Sequence, residues 1–208
     1  MLFDNLVGHS VYHGVEWTAA RAYEYILAGN GLFKRARSPM IAATVPIYSH
    51  RIAGLPDLKP GIQVFPGRIP GTMLAYILAH VRGIVSADLE AMYQLRLAQT
   101  ADGLAWKITA PTQTQTATQV SYTYEDPDTV ICDLHSHCDM GAFFSPTDNT
   151  DEQGFRFYAV IGRIHNTWPE IALRLGIFGD FIPLPATILF TDPGPFVDRM
   201  VERSRGAH

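Results

Sequence analysis

Apolar residues recur with two different periods along the chain, and these periods predict its helices and strands. Between residues 71 and 83 the apolar positions follow the 3.6-residue period of an amphipathic helix. We expect this helix to begin after Pro70 and to end at Gly83, because proline favours the start of a helix and glycine its end. Its apolar stripe consists of Met73, Leu74, Ile77, Leu78 and Val81.

Shorter runs of β-branched and aromatic residues predict strands. Asp102-Gly103 is a strong turn signal and predicts a hairpin, while the run 129–134, which is mostly apolar and β-branched, predicts a buried strand. Strands and helices alternate without strict βαβ regularity, so the predicted class is α/β, in the form of an α+β mixed sheet flanked by helices. The other predicted strands are 25–28, 32–37, 40–47, 120–124, 157–164 and 171–178, and a terminal helix is predicted at 196–205.

Composition narrows the classes of function. The 208 residues are 47% hydrophobic and 17% charged, which is typical of a globular protein. A net charge of -4 without a basic run argues against nucleic-acid binding, and no apolar stretch approaches the roughly 18 residues of a membrane span. The chain has two cysteines and lacks the sequence pattern of a signal peptide, so we expect a cytoplasmic protein.

The segment after the buried strand carries the candidate chemistry. His135 and His137 lie two residues apart at the carboxyl end of that strand, so both imidazoles should face the same side. Ser145-Pro146 is a helix-start signal that places Asp148 in the first turn of a helix. Two histidines, one aspartate and an open fourth position are typical of a catalytic zinc site.

The arrangement His-x-His, seven residues, Ser, two residues, Asp resembles the motif of the JAMM (JAB/MPN+) metalloproteases. The resemblance implies that His135, His137 and Asp148 bind Zn²⁺ and that Ser145 stabilises the oxyanion. It also implies an upstream glutamate that acts as general base on a zinc-bound hydroxide. Glu24, which precedes an apolar run and Gly29, fits that description, and Glu16 is the alternative.

The family resemblance also implies an architecture and a substrate. The fold would be the JAB/MPN, cytidine-deaminase-like one, with a single domain over residues 1–195, an inserted hairpin at about 86–124, and a helix or tail at 196–208. Residues 133–162 further resemble a prokaryotic branch, the PRTRC system protein A family, whose cassettes carry a ubiquitin-like protein and a ThiF-like activating enzyme. The predicted function is therefore a zinc isopeptidase acting after the C-terminus of a ubiquitin-like modifier. Two alternatives are a non-catalytic MPN-type scaffold and a zinc amidohydrolase of a small substrate.

Three further residues near the motif are candidates for supporting roles. Asp133 shares the predicted strand face of the two histidines, and Asp151 follows Asp148 on the predicted helix, so either carboxylate could orient a metal ligand. Cys138 stands where most members of the family have proline. A thiol beside a zinc ligand could regulate or inhibit the site.

Overall fold

A computed structural model describes residues 7–14, 22–84, 90–111, 113–115, 120–122 and 129–200. The chain divides into two compact units. The first consists of Met1–Gly67 and Ile177–Asp180, and the second of Arg68–Gly176 and Phe181–His208.

The first unit contains a five-stranded sheet in the order β1-β2-β3-β4-β5. β1 and β2 are parallel and the other neighbours are antiparallel, so the predicted strands at 25–28, 32–37 and 40–47 are confirmed. Gly31, at the turn between β2 and β3, has a φ of 138°, and a Cβ there would lie 2.2 Å from a backbone oxygen of Tyr48. The strands are β1 (Val7–Val11), β2 (Tyr23–Ala28), β3 (Gly31–Arg37), β4 (Ile41–Ser49) and β5 (Gly61–Val64).

The second unit is built around a seven-stranded mixed sheet. Its strands run in the order β13-β12-β11-β10-β6-β7, with the short β14 pairing with β12. β8 (Gln113–Gln115) and β9 (Val120–Tyr122) form a separate two-stranded sheet. The strands of the main sheet are β6 (Met92–Thr100), β7 (Gly103–Thr109), β10 (Val130–Ser136), β11 (Arg156–Gly162), β12 (Glu170–Ile177), β13 (Asp180–Leu184) and β14 (Val197–Asp198).

The two central strands, β10 and β11, are parallel and almost entirely buried. This explains why β10 begins with the continuous apolar run Val130–Cys132 instead of an alternation of apolar and polar residues. The predicted helix is confirmed as α1 (Gly71–Ile84). Among its described side chains, Leu74, Ile77, Leu78 and Val81 are buried, and Met73, the fifth member of the predicted stripe, is partly buried.

The predicted hairpin is present, but its place differs from that of an insertion. β6 pairs antiparallel with β10, so the hairpin belongs to the main sheet. Sequence alone could not show this, because the partner of a strand is set by contacts distant along the chain. The turn residues are Ala101 and Asp102, and Gly103, with a φ of 118°, begins β7. The bounds of a single domain at 1–195 stay a prediction.

The end of the chain differs from the predicted helix at 196–205. Val197–Asp198 pair with the start of β12 as a strand, and helical structure begins only at Arg199. Residues 201–208, like Glu16, lie outside the described residues. Among the described helices, none has the length and apolar character needed to cross a membrane.

Candidate metal centre

The two histidines of the motif lie side by side at the end of β10. The Nε2 atoms of His135 and His137 are 3.1 Å apart, and both side chains are buried. Two nitrogen ligands on one tetrahedral zinc ion would be about 3.3 Å apart, given Zn–N distances of about 2.0–2.1 Å. The pair therefore has nearly the separation that a shared metal ion requires.

The surroundings of both rings favour the neutral, metal-binding form. The Nδ1 of His137 lies 3.2 Å from the carbonyl oxygen of Gly141. Donation of the Nδ1 proton to this acceptor leaves the lone pair on Nε2. Burial lowers the pKa of His137, and it lowers the pKa of His135 to about 4, although the Asp148 carboxylate acts in the opposite direction on both.

Asp148 approaches the histidines from the first turn of a short helix, α2 (Pro146–Asp151). Ser145 is the N-cap, and its Oγ accepts a hydrogen bond from the Asp148 N–H at 3.2 Å. In return, the Ser145 N–H donates to Oδ2 of Asp148 at 2.5 Å, which completes a capping box. The other carboxylate oxygen, Oδ1, lies 3.8 Å from Nε2 of His135. The cap thus holds one oxygen and leaves the other facing the histidines.

One ligand atom from each of His135, His137 and Asp148 lies within 4.8 Å of the others. Among the described residues, this is the one group of three or more His, Cys, Asp or Glu side chains with such a spacing. Two imidazole nitrogens and one carboxylate oxygen suit zinc, and three protein ligands leave a fourth position open. The residues that the motif predicts as ligands are therefore brought together by the fold.

A fourth ionisable group, Glu90, borders this cluster. Its Oε1 lies 3.8 Å from Nε2 of His137, and its side chain is largely buried. The N–H of the neighbouring residue Ala91 donates to Oγ of Ser136, and the N–H of Ser136 donates to the carbonyl oxygen of Ala91, each at 3.0 Å. These two hydrogen bonds fix Glu90 opposite His137. Burial, and next the negative charge of Asp148, raise the pKa of Glu90 to about 7. A carboxyl group with such a pKa can both take up and release a proton near neutral pH.

Residues 83–175 match the family model of prokaryotic homologues of the JAB domain. This part of the chain is a prokaryotic JAB domain. The matched stretch contains the metal cluster and Glu90, whereas Glu24 lies before it. A comparison with curated proteins gave no match. The narrower resemblance to PRTRC system protein A stays a prediction.

The loop between β10 and α2 forms one wall of the site in the JAB domain. The ring of Phe143 packs edge-on against His137, with the ring centroids 4.7 Å apart, and the side chain is 46% exposed. Met140, on the same loop, is 47% exposed. The buried carboxylate of Glu170 accepts a hydrogen bond from the N–H of Ala142 at 3.0 Å, and this bond anchors the loop to β12. Phe143 therefore lies against a candidate metal ligand, and Met140 is a second exposed apolar side chain on the same anchored loop.

The three residues predicted to support the site, Asp133, Asp151 and Cys138, differ in their surroundings. Oδ2 of Asp133 lies 3.3 Å from Nη1 of Arg156, so this carboxylate forms an ion pair. Asp151 is exposed at the end of α2. Cys138 is buried, has a φ of 46° and does not belong to the group of candidate metal ligands. Its regulatory role stays a prediction.

Glu24 and Glu90 are the two candidates for proton transfer. Glu24 lies on β2 in the first unit and is buried there, with 7% of its surface exposed. Glu90 belongs to the same unit as the cluster and lies beside it. The sequence pattern does not single out Glu90, because the hairpin that follows it is predicted to be an insertion. The pairing of β6 with β10, which only the structure shows, identifies it: in the register of Met92 with His135, residue 90 falls opposite residue 137.

Proposed function

We propose that the JAB domain is a zinc-dependent isopeptidase that hydrolyses the amide bond after the C-terminus of a ubiquitin-like modifier. The observation that carries the proposal is the convergence of three ligand side chains with a buried glutamate at their edge. Members of the JAB family include metal-dependent hydrolases as well as scaffolds without activity. The complete set of four side chains favours the hydrolase.

The donor set supports zinc as the cofactor. His135, His137 and Asp148 would hold the ion. The Gly141 carbonyl orients His137, the Ser145 N–H orients Asp148, and His135 is buried. When bound, zinc would polarise the scissile carbonyl and supply a water whose pKa is lowered to roughly 7. Proton transfer and stabilisation of the oxyanion would be performed by side chains of the protein.

Glu90 is the proposed proton carrier. It would accept the proton of the attacking water and deliver it to the amine that leaves, which requires a pKa near neutrality. Its distance of 3.8 Å from His137 Nε2 brings it to the edge of the cluster without making it a fourth ligand in the present arrangement. This assignment replaces Glu24, whose proposed role rested on its place in the sequence alone.

Ser145 is the proposed oxyanion donor. Its Oγ already accepts a hydrogen bond from the Asp148 N–H, so the hydroxyl proton remains to be donated elsewhere. Donation to the oxygen of the tetrahedral intermediate would stabilise the developing charge, a contribution typically worth about 3–4 kcal/mol. Ser145 would then act both on the helix that carries a ligand and on the substrate.

The polypeptide nature of the substrate is inferred from the resemblance and from the exposed side chains at the site. Met140 and Phe143 offer apolar surface to an extended C-terminal tail beside the metal ligands. The ThiF-like activating enzyme of such cassettes is proposed as the second partner, because it would form the linkage that this enzyme removes.

The test uses the ubiquitin-like protein of the same cassette, fused at its C-terminus to a fluorescent reporter through an amide bond. We expect release of the reporter by the zinc-loaded protein, loss of release with a chelator, and recovery when zinc is added. Cleavage that ignores the chelator would exclude the zinc mechanism. Binding of the fusion without any cleavage would instead indicate a scaffold.

A further inference from the structure

Helix α2 carries Asp148 but has little apolar contact with the rest of the unit. None of its six residues is buried. Most helices in proteins are held by the burial of an apolar face, and a single helix of this length is not stable alone. The capping box orients the Asp148 side chain relative to α2, but it does not fix α2 relative to the strand that bears the histidines. Some other contact must therefore set the distance between Asp148 and the histidines.

That contact is made by Arg174 on β12. Its Nη1 donates to Oδ1 of Asn149 at 2.5 Å, and its Nε donates to Oε2 of Glu152 at 3.0 Å, with Nη2 on the same oxygen. Asn149 lies within α2, and Glu152 is its C-cap, whose N–H donates to the carbonyl oxygen of Asp148. One guanidinium thus binds two residues that follow Asp148 in the C-terminal half of the helix and its cap.

The guanidinium is itself held rigidly. It lies between the rings of Phe144 and Phe181, each with its centroid 3.9 Å from Cζ, and the side chain is 6% exposed. The sheet register connects it to the histidine strand, because Arg174 pairs with Tyr158 on β11 and Tyr158 pairs with Asp133 on β10. Residues paired in this way face the same side of a sheet, as do Asp133 and His135, so Arg174 and His135 share a face.

We propose that Arg174 is the positioning residue for the metal ligand Asp148, and that it sets the zinc affinity of the site by fixing α2 against the sheet. This inference rests on the proposed function only in taking zinc as the ligand of the cluster. Lysine could not replace it, since an ammonium group lacks the planar fork that reaches Asn149 and Glu152 together. A positive charge at position 174 is therefore not sufficient to hold α2.

The test measures zinc affinity by competition with a chromophoric chelator. We expect Arg174→Met to weaken zinc binding by about 10–100-fold, the usual effect of losing a group that orients a metal ligand. Arg174→Lys should be impaired as well, and Asn149→Ala, which removes one of the contacts from an exposed position, should show a smaller loss. Thr147→Ala, also exposed on α2, is the matched control and should bind zinc like the wild type.

A double-mutant comparison separates positioning from general destabilisation. In an Asp148→Ala background, Arg174→Met should cause no further loss of zinc affinity, because the ligand through which it acts is gone. An equal loss in both backgrounds, or unchanged affinity in Arg174→Met alone, would overturn the inference. The absorption spectrum of the Co²⁺-substituted protein should report the loss of the carboxylate ligand in Arg174→Met.

Hydrogen exchange of the metal-free protein provides a readout that does not depend on zinc. Arg174→Met should accelerate exchange in the peptide covering residues 145–153 and leave the peptide covering β10 protected. If the wild type binds no zinc, the proposed function fails, while this exchange result still decides whether Arg174 holds α2. Unchanged exchange at 145–153 would show that it does not.

Discussion

Replacing Glu90 with glutamine removes a proton carrier while keeping the shape of the side chain. The amide is nearly isosteric with the carboxylate, and the hydrogen bonds between Ala91 and Ser136 that place residue 90 opposite His137 involve atoms that the change does not touch. The three ligands are also unchanged. Glu90→Gln should therefore fold, bind zinc and bind substrate, but it should not transfer protons.

The expected fall in rate is that caused by the loss of proton transfer alone. General acid–base catalysis by one positioned side chain contributes roughly 10²–10⁴-fold in rate, which corresponds to about 3–5 kcal/mol in the activation free energy. The substitution also removes a negative charge that lies 3.8 Å from a metal ligand, so zinc must be in excess during the assay. Under that condition we expect kcat to fall by this factor and KM to change little.

The assay is steady-state release of the reporter from the modifier fusion, with zinc content measured on the same samples. Glu24→Gln, measured alongside, represents the competing assignment. Full turnover by Glu90→Gln together with loss of turnover in Glu24→Gln would refute the reasoning and return the base to Glu24. Loss of zinc from Glu90→Gln would instead show that this residue helps to hold the metal.

Three further predictions concern the metal ligands and the cap. His137→Ala should lower the zinc content measured by atomic absorption to a small fraction of one per chain, and a full complement of zinc would contradict the ligand assignment. Ser145→Ala should reduce kcat by roughly 10²–10³-fold and lower the free energy of unfolding by about 1 kcal/mol, because it removes an oxyanion donor and an N-cap together; denaturant unfolding of the metal-free form measures the second effect. Burial lowers the pKa of His135 to about 4 in the folded chain, so below about 6.5 the unfolded chain binds the extra proton and stability falls as the pH decreases towards 4. His135→Gln, followed by thermal unfolding of the metal-free protein across this range, should lose less stability than the wild type, and identical pH profiles would contradict the buried neutral histidine.

The parts of the structure that depend on local pattern were predictable from sequence. The stripe of α1 and the alternation that puts His135 and His137 on one side of β10 depend only on the period of a helix or a strand. Asp148 was also predictable, since Ser145-Pro146 specifies a helix start and a helix start specifies the place of its third residue.

The residues that sequence reasoning missed depend on which strands become neighbours. Glu90 reaches the site because β6 pairs with β10, and Arg174 reaches α2 because β12 follows β11 in the sheet. Neither residue belongs to a motif, and neither pairing follows from local periodicity. Lys34 is a similar case: it is buried and bonded to Asp180, 146 positions further along the chain.

The capping box gives a physical meaning to the spacing of the motif. Ser145 and Asp148 are the N-cap and third residue of the same helix, so the two residues between them are the number that a helical turn needs to bring the partners together. One residue more or less would rotate the carboxylate by about 100° around the helix axis and separate it from its cap. The seven residues between His137 and Ser145 form a loop and lack this constraint. Length variation in the second interval should therefore separate Asp148 from its cap, whereas in the first interval it would act only through the loop contacts of Gly141, Ala142 and Phe143.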